Sequence, residues 1–412
     1  MTATTTAECG RQLCGLHIEE ALEVRLAILV DAIPQHIAAA IVPWVQQPPK
    51  KTVFVTGAGG FIGFAVSRAF VRAGWRVYGL VRREAAAVPL LQEEITPVIG
   101  SISPDLRFLD ELVAQSSARP FDVVVSCTEQ FPFDEHWTHV LALLTGIASH
   151  ARRRGRGGAK PLVLVSSGCK DYGTTARHGE DGLAPHTEDS PLRPVDLLRD
   201  RTFCSLKVFE HADLFDAAVL RPTPLFGYGG SYHGSIFDGL GRLRDSEGAV
   251  ADAVKVPGHR DNIYHGCHID DCGDAYVALA THPVRERVRG ECFNVSAYRY
   301  ETVGDILAAL GTEYGFEGGI VATPLAEARP ELRKLESVLG YTQWVDSGKI
   351  RKLTGWTDRR ELFSENMHVS RLAFEAAAQA GDSGVARIRD RVAGWMASGV
   401  KFKKKTQAGT RV

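Results

Sequence analysis

At 412 residues the chain can bury a large core with a second lobe beside it. Its 44% apolar and 24% charged residues and 41 glycines describe an ordinary folded protein and exclude a collagenous or disordered one. A formal net charge of −1 recommends neither nucleic acid nor an acidic membrane as partner. The eight cysteines, Cys9 to Cys292, contain no Cys-x-x-Cys pair, so a reduced compartment suits them better than a disulfide framework.

Residues 1–49 read as a helical N-terminal extension. They lack a basic start followed by an unbroken apolar run, so no secretory signal is expected and the cytoplasm is the default location. The most apolar early stretch, Leu22 to Val45, carries Glu23, Arg25, Asp31, Pro34 and His36, too costly for a bilayer span. Pro48 and Pro49 then mark a boundary. From residue 50 to about 225, strand-length apolar runs alternate with helical patterns: Val53 to Thr56, Arg76 to Val81, Phe121 to Ser126, Leu162 to Ser166 and Ala217 to Arg221. That rhythm predicts an α/β fold with a doubly wound parallel sheet. Beyond it come a glycine-rich loop (Gly227 to Gly234), helical patterns near Thr302 to Leu310 and His368 to Ala380, and a basic tail over 396–412. The Arg152 to Arg154 run complements a helix C-terminus and receives no function.

The sharpest signal is Thr-Gly-Ala-Gly-Gly-Phe-Ile-Gly, Thr56 to Gly63, between a predicted strand and a predicted helix, Phe61 to Ala73. Gly57 allows the tight turn, Gly60 lets backbone approach a pyrophosphate, and Gly63 lets the helix pack closely. Phe61 and Ile62 open the helix whose free N–H groups stabilise the anion. At the end of the second strand, where an NAD-binding chain presents Asp or Glu to the ribose, this one reads Val81-Arg82-Arg83. Two guanidinium groups match a 2′-phosphate, so NADP(H) is expected in preference to NAD(H).

Later segments resemble the extended and atypical short-chain dehydrogenases, the NAD-dependent epimerase/dehydratase-like family, in that family's order over most of residues 51 to 360. They are Val163 to Gly173 (VLVSSGCKDYG), Leu220 to Gly227 (LRPTPLFG), Cys267 to Ala280 (CHIDDCGDAYVALA), Phe293-Asn294, and Lys349 to Trp356 (KIRKLTGW). The resemblance implies a Rossmann domain over 50–225, with 263–285 returning to it. A substrate lobe would then take 226–262 and 286–395, with a small molecule held between the two. It also implies that Ser126, Cys127, Thr128, Ser166 and Ser167 line the nicotinamide half, with Ser167 the candidate helper hydroxyl, and that Lys207 contacts ribose or substrate. Homodimerisation is left open, and neither nucleic acid nor membrane is expected as a partner.

The family's Tyr-x-x-x-Lys helix is missing, since no tyrosine occurs between Tyr172 and Tyr228. One alignment puts the tyrosine position at Val195 to Leu198 with Arg199 or Thr202 at the lysine; the other reads Phe203-x-x-x-Lys207. Tyr172, Cys204, Tyr228, Tyr232 and His233 could donate a proton instead, and the loop residues Tyr228, Tyr232 and His233 rank first. His259, His265, Cys267 and His268 lack the spacing of a zinc site, so no metal is expected. Asp270 and Asp271 are expected to cap a helix starting near Cys272. The leading expectation is an NADP(H)-dependent oxidoreductase or epimerase-like enzyme acting on a carbonyl or secondary hydroxyl. A non-redox isomerisation, elimination or cyclisation, and a non-catalytic NADP(H)-sensing regulator, are the alternatives.

Overall fold

Seven strands pair in parallel throughout. In chain order they are β1 (Thr52–Thr56), β2 (Arg76–Val81), β3 (Thr96–Ile99), β4 (Val123–Ser126), β5 (Leu162–Ser166), β6 (Asp216–Pro222) and an edge strand, Glu291–Val295. The computed structural model describes residues 50–103, 105–115, 121–153, 160–249 and 251–398. The extension expected at 1–49, the side chains of the 152–154 arginine run and the tail beyond 398 lie outside the described residues.

Across the sheet the order is edge strand, β6, β5, β4, β1, β2, β3. The chain winds outward from β1 through β2 to β3, crosses to the other side of β1, and winds outward again from β4. That reversal opens a crevice above the carboxyl ends of β1 and β4, where doubly wound folds bind ligands. Strands covered on both faces must be apolar on both, and β1 is buried at all five positions. Val53 and Val55 face one core with Val123, Val125, Leu162 and Leu164. Phe54 faces the other with Val124, Val163 and Val165.

The helix Phe61–Arg72 leaves β1 on the first face and packs along a second helix, Ile269–Thr281. On the opposite face lies the long helix Phe133–Arg153. A separate core, built from Phe226, Ile236, Phe237, Leu307, Leu310, Phe363 and Phe374, holds the smaller lobe together. Its helix Val303–Tyr314 starts with a reciprocal cap between Thr302 and Asp305. The edge strand corrects the expected division, because Glu291–Val295 lies inside the range assigned to the lobe yet pairs with β6. An apolar run that completes a parallel sheet is better buried there than in a lobe.

Candidate functional site

β1 ends in a turn that no residue larger than glycine could make. Gly57 takes the left-handed φ of +68°. A Cβ there would stand 2.8 Å from the Cys127 carbonyl oxygen and 3.0 Å from Thr128 Cγ2, so the chain must pass this close to the end of β4. Gly60 N–H donates to the Gly57 carbonyl at 2.8 Å, and a Cβ on Gly63 would collide with that same oxygen. The helix then begins at Phe61 with no side-chain cap and no acidic residue in its first turn. Its first N–H groups are therefore free to bind an anion. This cradle fits the pyrophosphate of a dinucleotide.

Beside the turn, the Val81 side chain lies 3.5 Å from the Cβ position of Gly59, at the end of β2 where an acid would otherwise reach a ribose. Arg82 and Arg83 follow and are exposed. On the β4 and β5 side, Cys127 Sγ is 3.2 Å from Ser166 Oγ, Ser166 Oγ is 2.6 Å from Tyr276 Oη, and Thr128 Oγ1 is 3.0 Å from His136 Nε2. Burial pushes the Cys127 thiol up to about 12, against a weaker opposing pull from Ser166, so it serves as a neutral wall and not as a nucleophile. The glycine turn, Ser126, Cys127, Thr128 and Ser166 thus lie at the ends of the adjacent strands β1, β4 and β5.

The proton-transfer candidates do not converge. Ser167 Oγ donates to Asp171 Oδ2 at 2.6 Å and is held there, because a carboxylate with no solvent exposure needs every donor it can find. Arg201 Nη2 at 2.7 Å and Thr202 Oγ1 at 2.8 Å reach the other oxygen, and Arg221 Nε lies 3.4 Å from Oδ2. Lys207 and Phe203 are exposed, whereas Leu198 and Thr202 are buried. Neither register puts a tyrosine in the chain: the first runs through the buried Leu198 and Thr202, the second through the exposed Phe203 and Lys207. The Arg201 guanidinium fills the space above Gly168, 3.2 Å from where a Cβ would be.

Tyr228, with φ +52°, donates to Asp270 Oδ2 at 2.7 Å and lies under Arg68. It belongs to the outer face of the two packed helices. Partial burial and the Asp270 carboxylate raise its pKa. Tyr172 is buried between Asn294 Oδ1 (2.8 Å) and Arg221 Nη1 (2.9 Å). Tyr232 is different, since its hydroxyl accepts from Arg391 Nη1 at 3.0 Å, and the same Arg391 atom lies 3.2 Å from Glu129 Oε2 at the end of β4. Glu129 in turn pairs with Arg201.

His268, not Asp270 or Asp271, caps the helix Ile269–Thr281, accepting from Asp270 N–H. Asp270 pairs with Arg68 instead, and Asp271 accepts from the backbones of Arg359 and Arg360. His265 bonds the Ala297 carbonyl and the Val345 N–H, which fixes it as a neutral structural group. His233 lies in an aromatic cage of Phe226, Tyr264 and Phe363.

Burial pushes His265 down to about 4 and His233 to about 3. The unfolded chain takes up protons that the folded chain refuses, so stability must fall as pH drops below 6.5 toward these values. Replacing His233 by Phe should flatten the dependence of unfolding free energy on pH by up to about 1.4 kcal/mol per pH unit. Urea titrations at several pH values check this; an unchanged slope would mean that His233 is not buried as a neutral group.

Asp171, Arg201, Glu129 and Arg391 were invisible as a site in the sequence. Of these only Arg201 had a signal, its place beside the displaced tyrosine position.

The chain matches the model of the NAD dependent epimerase/dehydratase family over residues 53–296. It is 24% identical to the spore coat polysaccharide biosynthesis protein SpsK of Bacillus subtilis, over 56% of this chain and 70% of that one. It is also 48% identical over 63 residues to an uncharacterized protein of Schizosaccharomyces pombe, C2A9.02, spanning 15% of this chain and 21% of that protein. The dTDP-glucose 4,6-dehydratase of Bacillus anthracis, solved with NAD, superposes with a TM-score of 0.59 at 14% identity, covering 80% of this chain and 98% of that one. A UDP-glucose-4-epimerase of Stenotrophomonas maltophila with bound NAD and formylated UDP-arabinopyranose gives 0.59 at 16%, covering 80% and 99%. These structural likenesses establish the fold. With a family model spanning more than half its length, the chain belongs to the NAD dependent epimerase/dehydratase family.

Proposed function

We propose that this protein binds a nicotinamide dinucleotide across the ends of β1, β2 and β4 and acts on a carbonyl or secondary hydroxyl of a small molecule of the nucleotide-sugar kind. The observation that carries this reading is the turn itself: three glycines that each avoid a collision, feeding an uncapped helix N-terminus. Gly57, Gly60, Phe61, Ile62 and Gly63 would hold the pyrophosphate, and Ser126, Cys127, Thr128 and Ser166 would line the nicotinamide half. Bound there, the dinucleotide supplies hydride transfer. With Ser167 committed to Asp171, Lys207 outside and Tyr228 on Asp270, Tyr232 is the hydroxyl left facing the charged end of β4.

The solved relatives carry NAD, which weighs toward that form. Val81 followed by Arg82 and Arg83 weighs the other way, because it offers no acid for ribose hydroxyls and two cations for a 2′-phosphate. On these residues we place NADP(H) first. Calorimetric titration of the full chain with NADPH and NADH, repeated on Arg82→Ala/Arg83→Ala, tests it. The expected result is tighter NADPH binding that weakens about tenfold in the double variant while NADH is unchanged. Tighter NADH binding in the native chain would replace NADP(H) by NAD(H), and binding of neither would remove the redox reading.

A second reading rests on the missing Tyr-x-x-x-Lys motif, since no tyrosine occurs between Tyr172 and Tyr228. It is a non-redox step, or a role as dinucleotide sensor. Deuterium carried from labelled NADPH into product would rule it out.

A further inference from the structure

The helix Ser383–Ser398 sends side chains to Gly59 in the glycine turn and to Glu129 beyond β4. Three arginines two positions apart divide its attachments. Arg389 points to the small lobe, where its guanidinium makes a two-pronged pair with Asp238 at 2.7 and 2.8 Å. Arg387 and Arg391, four apart and so on one face, point to the crevice. Arg391 bridges Glu129 and Tyr232. Arg387 lies on the glycine turn: Nη1 is 3.9 Å from the Cβ position of Gly60, and Nη2 donates to the Gly59 carbonyl at 3.4 Å.

That bond is long, and among the described residues it is the one hydrogen bond recorded for the Arg387 side chain. Asp382 is near but is occupied as the cap of its own helix, accepting from Gly384 and Val385 N–H. Lost hydration, opposed by the Asp382 carboxylate and aided by Arg391 and Arg82, holds the Arg387 pKa below its ordinary value. A guanidinium held by a single long hydrogen bond beside an uncapped helix N-terminus is an arrangement that a bound anion would complete. Arg387 keeps solvent access, so a diffusing ligand can reach it.

We propose that Arg387 is a pyrophosphate-binding residue, delivered to the glycine turn by the C-terminal helix, so that the dinucleotide is clamped between the first βαβ unit and a segment 328 residues further along the chain. This rests on the cofactor reading above. It assigns Arg387 a part distinct from Arg82 and Arg83, since the pyrophosphate is common to NAD(H) and NADP(H) whereas the 2′-phosphate is not.

The test is calorimetry on the full chain with NADPH, NADH and ADP, comparing native protein with Arg387→Ala, Arg387→Lys and, as a control on the same helix, Arg389→Ala. The expected result is that Arg387→Ala weakens all three ligands about tenfold, the size of one charge-assisted hydrogen bond. Arg387→Lys should restore part of the loss, and Arg389→Ala should leave ADP binding within about twofold of native. Unchanged ADP affinity in Arg387→Ala overturns the proposal. So does weakening of NADPH alone, which would put Arg387 on the 2′-phosphate, or an equal loss in Arg389→Ala, which would make the effect one of helix docking. A native chain that binds none of the three overturns the cofactor reading instead, so the two failures are told apart.

Discussion

Removing the Asp171 carboxylate by alanine substitution will cost this fold roughly 3–5 kcal/mol, the range for breaking a buried ion pair. Asp171 has no solvent exposure and is reached by Arg201, Arg221, Ser167 and Thr202. The pair is not a source of great net stability in itself, because desolvating the charges offsets most of their attraction. What makes the loss severe is the remainder: Arg221, almost fully buried, would keep only Tyr172 for its guanidinium, and Ser167 would lose its acceptor. Asp171→Asn keeps the shape and should lose less. Urea denaturation of both variants measures the difference. Equal and small losses would show that water or a neighbouring acid replaces the carboxylate.

Gly63→Ala is the second large effect. Its methyl would meet the Gly57 carbonyl oxygen inside van der Waals contact, and the next nearest atoms, the Gly57 carbonyl carbon at 2.7 Å and Ala58 Cα at 3.2 Å, are also backbone. No rotamer can relieve such a clash, so the turn or the helix must shift, at a cost of about 3 kcal/mol by the measure of overpacked cores. If that strain falls on the dinucleotide-bound arrangement, affinity drops about 100-fold at 1.4 kcal/mol per tenfold. A melting curve and a dinucleotide titration separate the two destinations. A variant with native affinity and native stability would mean that the turn is looser than its hydrogen bonds imply.

The contrast between these residues explains what the sequence could reveal. The glycine turn is local: eight consecutive residues carry it, and their neighbours supply the strand and helix that give it meaning. Five strands announced themselves because each is an apolar run between turn signals. Two did not. β3 has one buried position of four and a proline at Pro97, so it carries little apolar signal, as an edge strand can afford to. Glu291–Val295 sits among helices of the small lobe and shows its allegiance only through pairing with β6. The Asp171 cluster gathers residues 30 to 50 positions apart, and no period or spacing marks such a set. Lys207 drew notice because a lysine four after an aromatic imitates the family's pattern. That Thr202 is buried and Lys207 exposed only the fold reveals.

The span between Gly59 and Arg387 also bears on how the molecule is made. A ribosome delivers residues in order, so β1 through β6 and their covering helices are available to pair long before the helix Ser383–Ser398 emerges. Contacts of such separation are entropically dear and form late. The nascent chain can therefore assemble its sheet and its glycine cradle while the crevice still stands open on one side. The contact of Arg387 with the glycine turn therefore waits until the helix Ser383–Ser398 has been translated.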